Sequence, residues 1–144
     1  MNVLVMGIPF WQADYGMGPY RSRCGHEVRY LAIEGEADFH FGADEIAMQV
    51  MARVSASWKP DWLVCWMPEL FPPPLHIEDS PIRTCAVISD WNLYYPQLEH
   101  NMARYDVVLS DKPGAETLEL ENAEARYLFP VYSQRSRIHR KIDS

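Results

Sequence analysis

A carboxylate and several aromatic side chains follow directly on an apolar run at residues 83–89. They are Asp90, Trp91, Tyr94 and Tyr95. A carboxylate in such a setting can act as a general base or accept a hydrogen bond from a sugar hydroxyl, and Trp and Tyr rings suit the apolar faces of sugars. Asp90 is therefore a candidate catalytic residue, and the three aromatic residues are candidate substrate-binding residues. The alternative is that Asp90 caps the next helix and the rings fill the edge of the core.

Two further groups of polar residues are candidates for the same crevice. His100 lies on the helix predicted after Asp90 and could face either the crevice or solvent. Asp111 and Gly114 follow another apolar run, at residues 106–110, so they are candidate substrate-binding residues on its rim. The alternative for Ser110 or Asp111 is again that it caps a short helix starting near Pro113.

Trp11, Gly16 and Gly18 form a third candidate region, because glycines let a loop bend or let a ligand approach the backbone. A dinucleotide fingerprint would need G-x-G-x-x-G close behind the first strand. Position 21 is Arg, and the two glycines stand eight and ten residues beyond Ile8. The sequence therefore argues against NAD or FAD and leaves these residues as substrate-binding candidates.

The elements that must position these residues alternate along the chain. Short apolar runs predict six strands, at residues 2–8, 27–33, 61–66, 83–89, 106–110 and 125–129. Helices are predicted at residues 19–24, 43–58, 96–105 and 113–121. The proline-rich segment 67–81 is predicted as loop or extended chain.

This alternation predicts an α/β fold with a three-layer, doubly wound, mainly parallel six-stranded sheet of the Rossmann-like kind. Residues 1–132 would form that domain, and residues 133–144 a basic tail or the start of an interdomain linker. In such sheets ligands bind beyond the carboxyl ends of the strands. The regions of interest are therefore residues 9–18, 67–69, 90–95 and 111–114.

Composition excludes several classes of protein. The chain has 144 residues and a formal charge of −7, which argues against a nucleic-acid partner. No apolar run is long enough to cross a bilayer and no secretory leader is recognisable, so a cytoplasmic location is expected. Three cysteines and five histidines show no metal-ligand spacing, and Walker A and G-x-S-x-G motifs are absent, so no metal site is predicted.

The order of elements resembles the N-terminal domain of a GT-B glycosyltransferase, most closely the CgeB-like, spore-maturation-type group. The resemblance spans residues 1–130. It rests on the opening NVLVMGIPF, on CGHEV at residues 24–28 and on KPD at residues 59–61. Above all it rests on the stretch from residue 85 onward, with AVISDWN at residues 86–92 and ARYDVVLSDKPGAETL at residues 103–118.

That resemblance implies an acceptor-side domain or subunit of an enzyme that transfers a sugar from a nucleotide-sugar donor to a small-molecule or glycan acceptor. GT-B enzymes have two Rossmann-like domains with the active site between them, and the second usually binds the donor. The expected partner is therefore a donor-binding domain or subunit, with no cofactor bound tightly by this chain. Asp90 would occupy the turn where an acceptor-activating base could sit.

Other functions stay open at this stage. The main alternative is a non-catalytic Rossmann-like module that binds a nucleotide, a sugar or a protein, and a homo-oligomer is compatible with either function. A response-regulator-like domain is disfavoured, because Ile8-Pro9-Phe10 and Met67-Pro68 stand where its acidic residues would be expected. The basic tail and the segment 71–74 are expected docking surfaces for a partner domain.

Overall fold

The computed structural model describes residues 1–7, 25–88, 90–117 and 124–127. Its strands are β1 (Asn2–Met6), β2 (Glu27–Ala32), β3 (Phe39–His40), β4 (Trp62–Trp66), β5 (Arg83–Val87), β6 (Val107–Ser110) and β7 (Glu124–Tyr127). The helices are α1 (Ala47–Ser55), α2 (Trp91–Asn101) and α3 (Lys112–Thr117), with 3-10 turns at Ile77–Asp79 and Met102–Arg104.

All seven strands of the described chain run parallel in one sheet, in the order β3-β2-β1-β4-β5-β6-β7. The chain adds β2 and β3 on one side of β1, and then adds β4 and the later strands on its other side. The boundary between β1 and β4 is therefore the topological switch point of a Rossmann-like fold. The predicted class, a mainly parallel α/β fold of the Rossmann-like kind, is confirmed. The six predicted strands are all present, each shifted or shortened by at most two residues per end.

Three local predictions differ from the structure. β3 was not predicted, because two residues at the sheet edge carry no readable period. α1 is shorter than residues 43–58, because Ile46 is extended (φ −86°, ψ 148°) and bridges Leu75 before the helix begins. α2 begins at Trp91 rather than at Pro96, and it accommodates the internal proline with a kink at Tyr94 (φ −114°, ψ 15°).

The main hydrophobic core lies on one face of the sheet. Successive side chains of a strand point to opposite faces, and only one alternate set belongs to the core cluster, with Leu4, Leu63 and Ala86 as its centre. α1 contributes Val50 and Val54 to the same cluster, at helical spacing. The members contributed by α2 and the turn after it are Leu98, Met102 and Tyr105. The helices α1 and α2 therefore cover the same face.

A side chain–backbone contact fixes the amino edge of the two central strands. The Asp61 carboxylate accepts the Asn2 N–H at 2.7 Å, and the Asn2 side-chain amide donates to the Lys59 carbonyl at 2.8 Å. This contact holds the start of β1 beside the start of β4. The KPD sequence at residues 59–61 thus has a structural role at the edge opposite the predicted crevice.

No helix among the described residues is long and apolar enough to cross a membrane. The predicted helix at residues 19–24 lies outside the described residues, as do the end of the helix predicted at 113–121 and the tail at 133–144.

Candidate functional site

Asp90 lies at the carboxyl edge of the sheet, just beyond β5 and immediately before α2. Its backbone carbonyl accepts the N–H groups of Leu93 at 3.0 Å and of Tyr94 at 3.3 Å, so the backbone of Asp90 starts the helix. Its carboxylate makes no capping hydrogen bond to that helix. The side chain is partly exposed. The alternative in which the Asp90 side chain caps α2 is therefore absent from this structure, and the carboxylate makes no hydrogen bond to another described residue.

The loop after β4 brings a second carboxylate to Asp90. Met67 follows β4 in the left-handed region (φ 52°), which a non-glycine residue adopts at a cost of about 1–3 kcal/mol. Its carbonyl accepts the N–H groups of Leu70 and Phe71, both at 2.9 Å, and these bonds hold the turn. As a result, Glu69 Oε1 accepts the Asp90 N–H in a long hydrogen bond of 3.4 Å.

The polar residues after β6 pack tightly against the first residue of α2. A Cβ on Gly114 would stand 2.2 Å from Ser110 Oγ, 2.5 Å from Trp91 Cδ1 and 2.8 Å from Asp111 Oδ1. The predicted candidates Trp91, Asp111 and Gly114 are thus brought together. The lack of a side chain at Gly114 is what permits this close approach.

Asp111 has a local structural function in this cluster. Its Oδ1 accepts the Gly114 N–H at 2.8 Å, and its carbonyl accepts the Ala115 N–H at 2.8 Å, so it caps α3. The hydroxyl of Ser110 is buried and has no hydrogen-bond partner among the described residues. The alternative proposed for Asp111, a helix cap, is the one that the geometry supports.

The remaining predicted site residues divide into three groups. Tyr94 and Tyr95 are half-buried and pack against the core cluster, so they form the edge of the core and keep part of each ring exposed. His100 is exposed in the last turn of α2, about 13 Å along the helix from Trp91 at 1.5 Å per residue. The structure does not bring His100 together with Asp90. Trp11, Gly16 and Gly18 lie outside the described residues.

Each of the three strands β4, β5 and β6 is thus followed by a carboxylate, from Glu69, Asp90 and Asp111 respectively. Glu69 was not among the candidates from the sequence, although the segment 67–69 was singled out for its position after a strand. The described residues contain no group of three His, Cys, Asp or Glu side chains arranged to hold a metal ion. The described residues singled out at this edge offer the chemistry of carboxylates and aromatic rings.

Among the described residues, the largest pKa shifts belong to the buried side chains of Cys65, Cys85 and Tyr105. Burial raises the pKa of the Cys85 thiol to about 11. Burial also raises the pKa of the Cys65 thiol well above its usual range, despite a hydrogen bond with the Tyr105 hydroxyl, and raises that of Tyr105. Both thiols are therefore protonated at neutral pH, and neither is a nucleophile in the folded protein.

Comparison with protein-family models, with curated proteins and with solved structures finds no match to this chain. The class of protein is therefore defined by the fold alone, as an all-parallel, Rossmann-like α/β domain over the described residues.

Proposed function

We propose that this chain is the acceptor-side domain or subunit of a GT-B-like glycosyltransferase, and that Asp90 is its general base. The observation that supports this proposal best is the position of the Asp90 carboxylate. It follows the fifth strand at the carboxyl edge, its backbone is bonded on both sides, and its side chain is not used to cap α2. A fixed backbone with a free carboxylate is the arrangement that proton abstraction requires.

The proposed step is a single displacement that this residue assists. The Asp90 carboxylate takes the proton of an acceptor hydroxyl while that oxygen forms a bond to the anomeric carbon of the donor sugar. The bond between that carbon and the diphosphate oxygen breaks, and the nucleoside diphosphate leaves with the electron pair. Glu69, which accepts the Asp90 N–H, is a positioning residue in this scheme.

The charge of the edge favours an uncharged acceptor. Neighbouring parallel strands lie about 4.8 Å apart, so Glu69, Asp90 and Asp111 place three carboxylates along roughly 10 Å of edge. Like charges at this spacing repel a phosphorylated or carboxylated acceptor. The exposed part of the Trp91 ring provides a surface on which an apolar sugar face can stack.

The donor is assigned to a second, donor-binding domain. Three carboxylates beyond β4, β5 and β6 oppose the diphosphate of a nucleotide sugar, and no dinucleotide fingerprint follows β1. This chain would then bind no cofactor tightly and would be inactive without that partner. The partner can be a separate polypeptide or a further part of a longer chain.

The test uses the chain assembled with its donor-binding partner and a panel of nucleotide sugars and neutral acceptors. Asp90→Asn should lower kcat by about 10²- to 10⁴-fold, which is the usual contribution of a general base. The matched control is Asp111→Asn, the same chemical change one strand away. An asparagine there still caps α3, so turnover should be nearly unchanged.

Equal turnover of wild type and Asp90→Asn would eliminate Asp90 as the base. Saturation-transfer NMR can measure whether sugars bind to the chain alone. This measurement separates a failure of Asp90 as the base from a failure of the proposed acceptor-binding function. Neutral sugars that bind but are never transferred by any assembled pair would support the non-catalytic binding module instead.

A further inference from the structure

Two exposed leucines lie beside the hydrogen bond that joins Glu69 to Asp90. Leu93 follows Asp90 by three residues, in the first turn of α2, and is 71% exposed. Leu70 follows Glu69 directly and is 39% exposed. Single exposed leucines are common on protein surfaces and by themselves indicate nothing. These two are distinguished by their position at the candidate site and by the backbone that holds them there.

The backbone of α2 places the side chain of Leu93 next to Asp90. The Leu93 N–H donates to the Asp90 carbonyl at 3.0 Å, so the two residues lie one helical turn apart. Side chains of a helix lean towards its N-terminus, so the isobutyl group of Leu93 covers the turn that contains Asp90. The side of α2 that packs on the core is formed by Trp91, Tyr94 and Leu98. Leu93 lies outside that side and faces solvent.

A strained turn holds Leu70 in its exposed position. The N–H groups of Leu70 and Phe71 both donate to the Met67 carbonyl at 2.9 Å, and Met67 is in the left-handed region (φ 52°). The ring of Phe71 packs against the core cluster, whereas the side chain of Leu70 stays exposed. A left-handed residue other than glycine persists only where its surroundings enforce it, and such residues are frequent at ligand-binding sites. The turn therefore fixes Leu70 beside Glu69.

The hydrogen bond between Glu69 and Asp90 joins these two positions. Glu69 Oε1 accepts the Asp90 N–H at 3.4 Å, which connects the turn after β4 to the start of α2. The strands β4 and β5, which lead into these segments, are neighbours in the sheet and lie about 4.8 Å apart. Leu70 and Leu93 therefore belong to one small region of the carboxyl edge, in which aliphatic side chains adjoin carboxylates.

Aliphatic side chains beside a carboxylate suit a ligand that is polar at one end and apolar at the other. A sugar hydroxyl that is pressed against a leucine loses its water without gaining a hydrogen bond, which weakens binding. An alkyl or aryl group gains from the same contact, because apolar surface of both partners leaves water. The region therefore favours a ligand that offers a hydroxyl group to Asp90 and an apolar group to the adjacent leucines.

We propose that the acceptor is a neutral alcohol that carries an alkyl or aryl group, and that this group packs on Leu93 and Leu70. The inference rests on the proposed function and adds to it the chemical class of the acceptor. The two leucines are specificity-determining residues: they contact the apolar group of the acceptor and take no part in proton transfer to Asp90.

Binding of matched glycosides to the full chain tests this inference without any transfer reaction. The probes are the methyl and hexyl glycosides of glucose, galactose and mannose, so each pair differs only in five methylene groups. A methylene group that leaves water on binding raises affinity by up to about fourfold, and the hexyl glycoside should therefore bind at least about tenfold more tightly. In saturation-transfer NMR, the protons of the hexyl group should receive the strongest saturation.

Leu93→Ser and Leu70→Ser remove the apolar contact. Each should reduce the ratio of hexyl to methyl affinity by about 3- to 10-fold. Both side chains are exposed, so both variants should keep the fold, which thermal unfolding can verify. The matched control is Ile33→Ser, at an aliphatic residue that is 43% exposed after β2. Three strand spacings, or about 14 Å, separate β2 from β5, and the ratio should stay at the wild-type value.

Equal affinity of the wild type for the methyl and hexyl glycosides would overturn the inference. An equal loss in Ile33→Ser and Leu93→Ser would also overturn it, because the hexyl group would then adsorb to any apolar surface. No measurable binding of any of these glycosides would count against both the inference and the proposed function.

Kinetics of the chain assembled with its donor-binding partner separate the two proposals. Transfer to methyl and hexyl glycosides with the same KM would overturn the apolar contact and leave the proposed function intact. Tighter binding of hexyl glycosides that is lost in Leu93→Ser, without transfer by any assembled pair, would sustain the apolar contact and contradict the transferase.

Discussion

Thr84 and Asp106 bind each other across the amino edge of the sheet, each through backbone and side chain. Asp106 Oδ2 accepts the Thr84 N–H at 2.7 Å and its hydroxyl at 3.1 Å, while Thr84 Oγ1 accepts the Asp106 N–H at 3.1 Å. The contact joins the start of β5 to the start of β6, as the Asn2–Asp61 contact joins β1 to β4. Both aspartates belong to the motifs on which the family resemblance rests, and both stabilise the edge opposite Asp90.

Replacing Asp106 by Ala should therefore destabilise the fold without affecting a ligand at the carboxyl edge. Thr84 is buried, so its N–H would lose its acceptor in a place that water reaches poorly. An unsatisfied buried donor costs about 1–3 kcal/mol, and we expect the free energy of unfolding to fall by that amount in urea titrations.

Asp106→Asn is the informative control, because its amide oxygen can still accept the Thr84 N–H. Most of the stability should return in this variant. Equal losses in the Ala and Asn variants would mean that the carboxylate charge, and not the hydrogen bond, holds the two strands together.

Gly114→Ala should disturb the contact between α3 and the start of α2. The new methyl group would overlap Ser110 Oγ and Trp91 Cδ1, at 2.2 and 2.5 Å, and overpacking of this kind costs about 1–3 kcal/mol. Tryptophan emission should change along with the urea midpoint, because Trp91 must move.

Ser110→Ala should have the opposite effect, since it removes a buried hydroxyl without a hydrogen-bond partner among the described residues. We expect a gain of about 1 kcal/mol in the free energy of unfolding. When Ser110→Ala is combined with Gly114→Ala, the lost hydroxyl leaves room for part of the methyl group added at position 114. The loss of stability should then be smaller than the sum of the single effects. Strict additivity would show that Ser110 and Gly114 are not in contact in solution.

The stability of the protein should fall steeply in alkaline solution. Burial raises the pKa of Cys85 from its ordinary value near 9 to about 11, and it raises the pKa values of Cys65 and Tyr105 in the same direction. Between the ordinary and the raised pKa of such a group, the group loses its proton in the unfolded state and keeps it in the folded state. Each such group then removes up to about 1.4 kcal/mol per pH unit, beginning near pH 9 for the two thiols and near pH 10 for Tyr105.

Urea titrations from pH 7 to pH 10.5 measure this dependence. Cys85→Ala should reduce the fall of the unfolding free energy with pH above pH 9. Near neutral pH the variant should be less stable than wild type by an amount that does not depend on pH. In a Cys24→Ser background, a thiol reagent at pH 8 should label Cys65 and Cys85 only after denaturant is added. Rapid labelling of the native protein would contradict their burial.

Acid should weaken the contact between α1 and the loop after β3. The Glu45 carboxylate accepts hydrogen bonds from Arg53 and from the Gly42 N–H, and Arg53 also donates to the His40 carbonyl at 2.8 Å. The hydrogen bond from Arg53, followed by that from Gly42, lowers the pKa of Glu45. The stabilisation is therefore complete above the ordinary value of 4.5 and is lost as the pH falls through the lowered value.

Glu45→Gln should be less stable than wild type at pH 7, and the difference should be smaller at pH 3, because the pKa of Glu45 is lowered from 4.5. Glu34→Gln, at an exposed glutamate after β2, is the matched control and should follow wild type at both values. A constant difference between Glu45→Gln and wild type from pH 7 to pH 3 would contradict the charge-dependent contact.

The sequence was sufficient for six of the seven described strands, but not for β3 or for the contacts around Asp90. Apolar runs such as that of β4 identify strands in a parallel sheet directly, because both faces tend to be covered. By contrast, the left-handed turn at Met67 and the resulting approach of Glu69 to Asp90 depend on hydrogen bonds between distant segments. No local pattern encodes them.

The start of α2 illustrates the same limit. Pro96 is favourable in the first turn of a helix, so the sequence predicted a start there. The packing of Trp91 and Tyr94 on the core extends the helix by one more turn and offsets the cost of the kink. Likewise, the sequence was equally compatible with Asp90 as a helix cap and as a base, whereas in the folded chain its carboxylate makes no cap to α2.

The central position of β1 has a consequence for biosynthesis. β1 leaves the ribosome before the other described strands and pairs with β2 on one side. Its other neighbour is β4, and the contact that aligns β1 with β4 joins residues 59 positions apart. Until residue 66 has emerged, one edge of β1 exposes unpaired N–H and C=O groups, for about 3–13 s at ordinary rates of translation. An open strand edge of this kind recruits other chains. The stage at which β1 has emerged and β4 has not is thus the one at which chaperones would most affect the yield of folded protein.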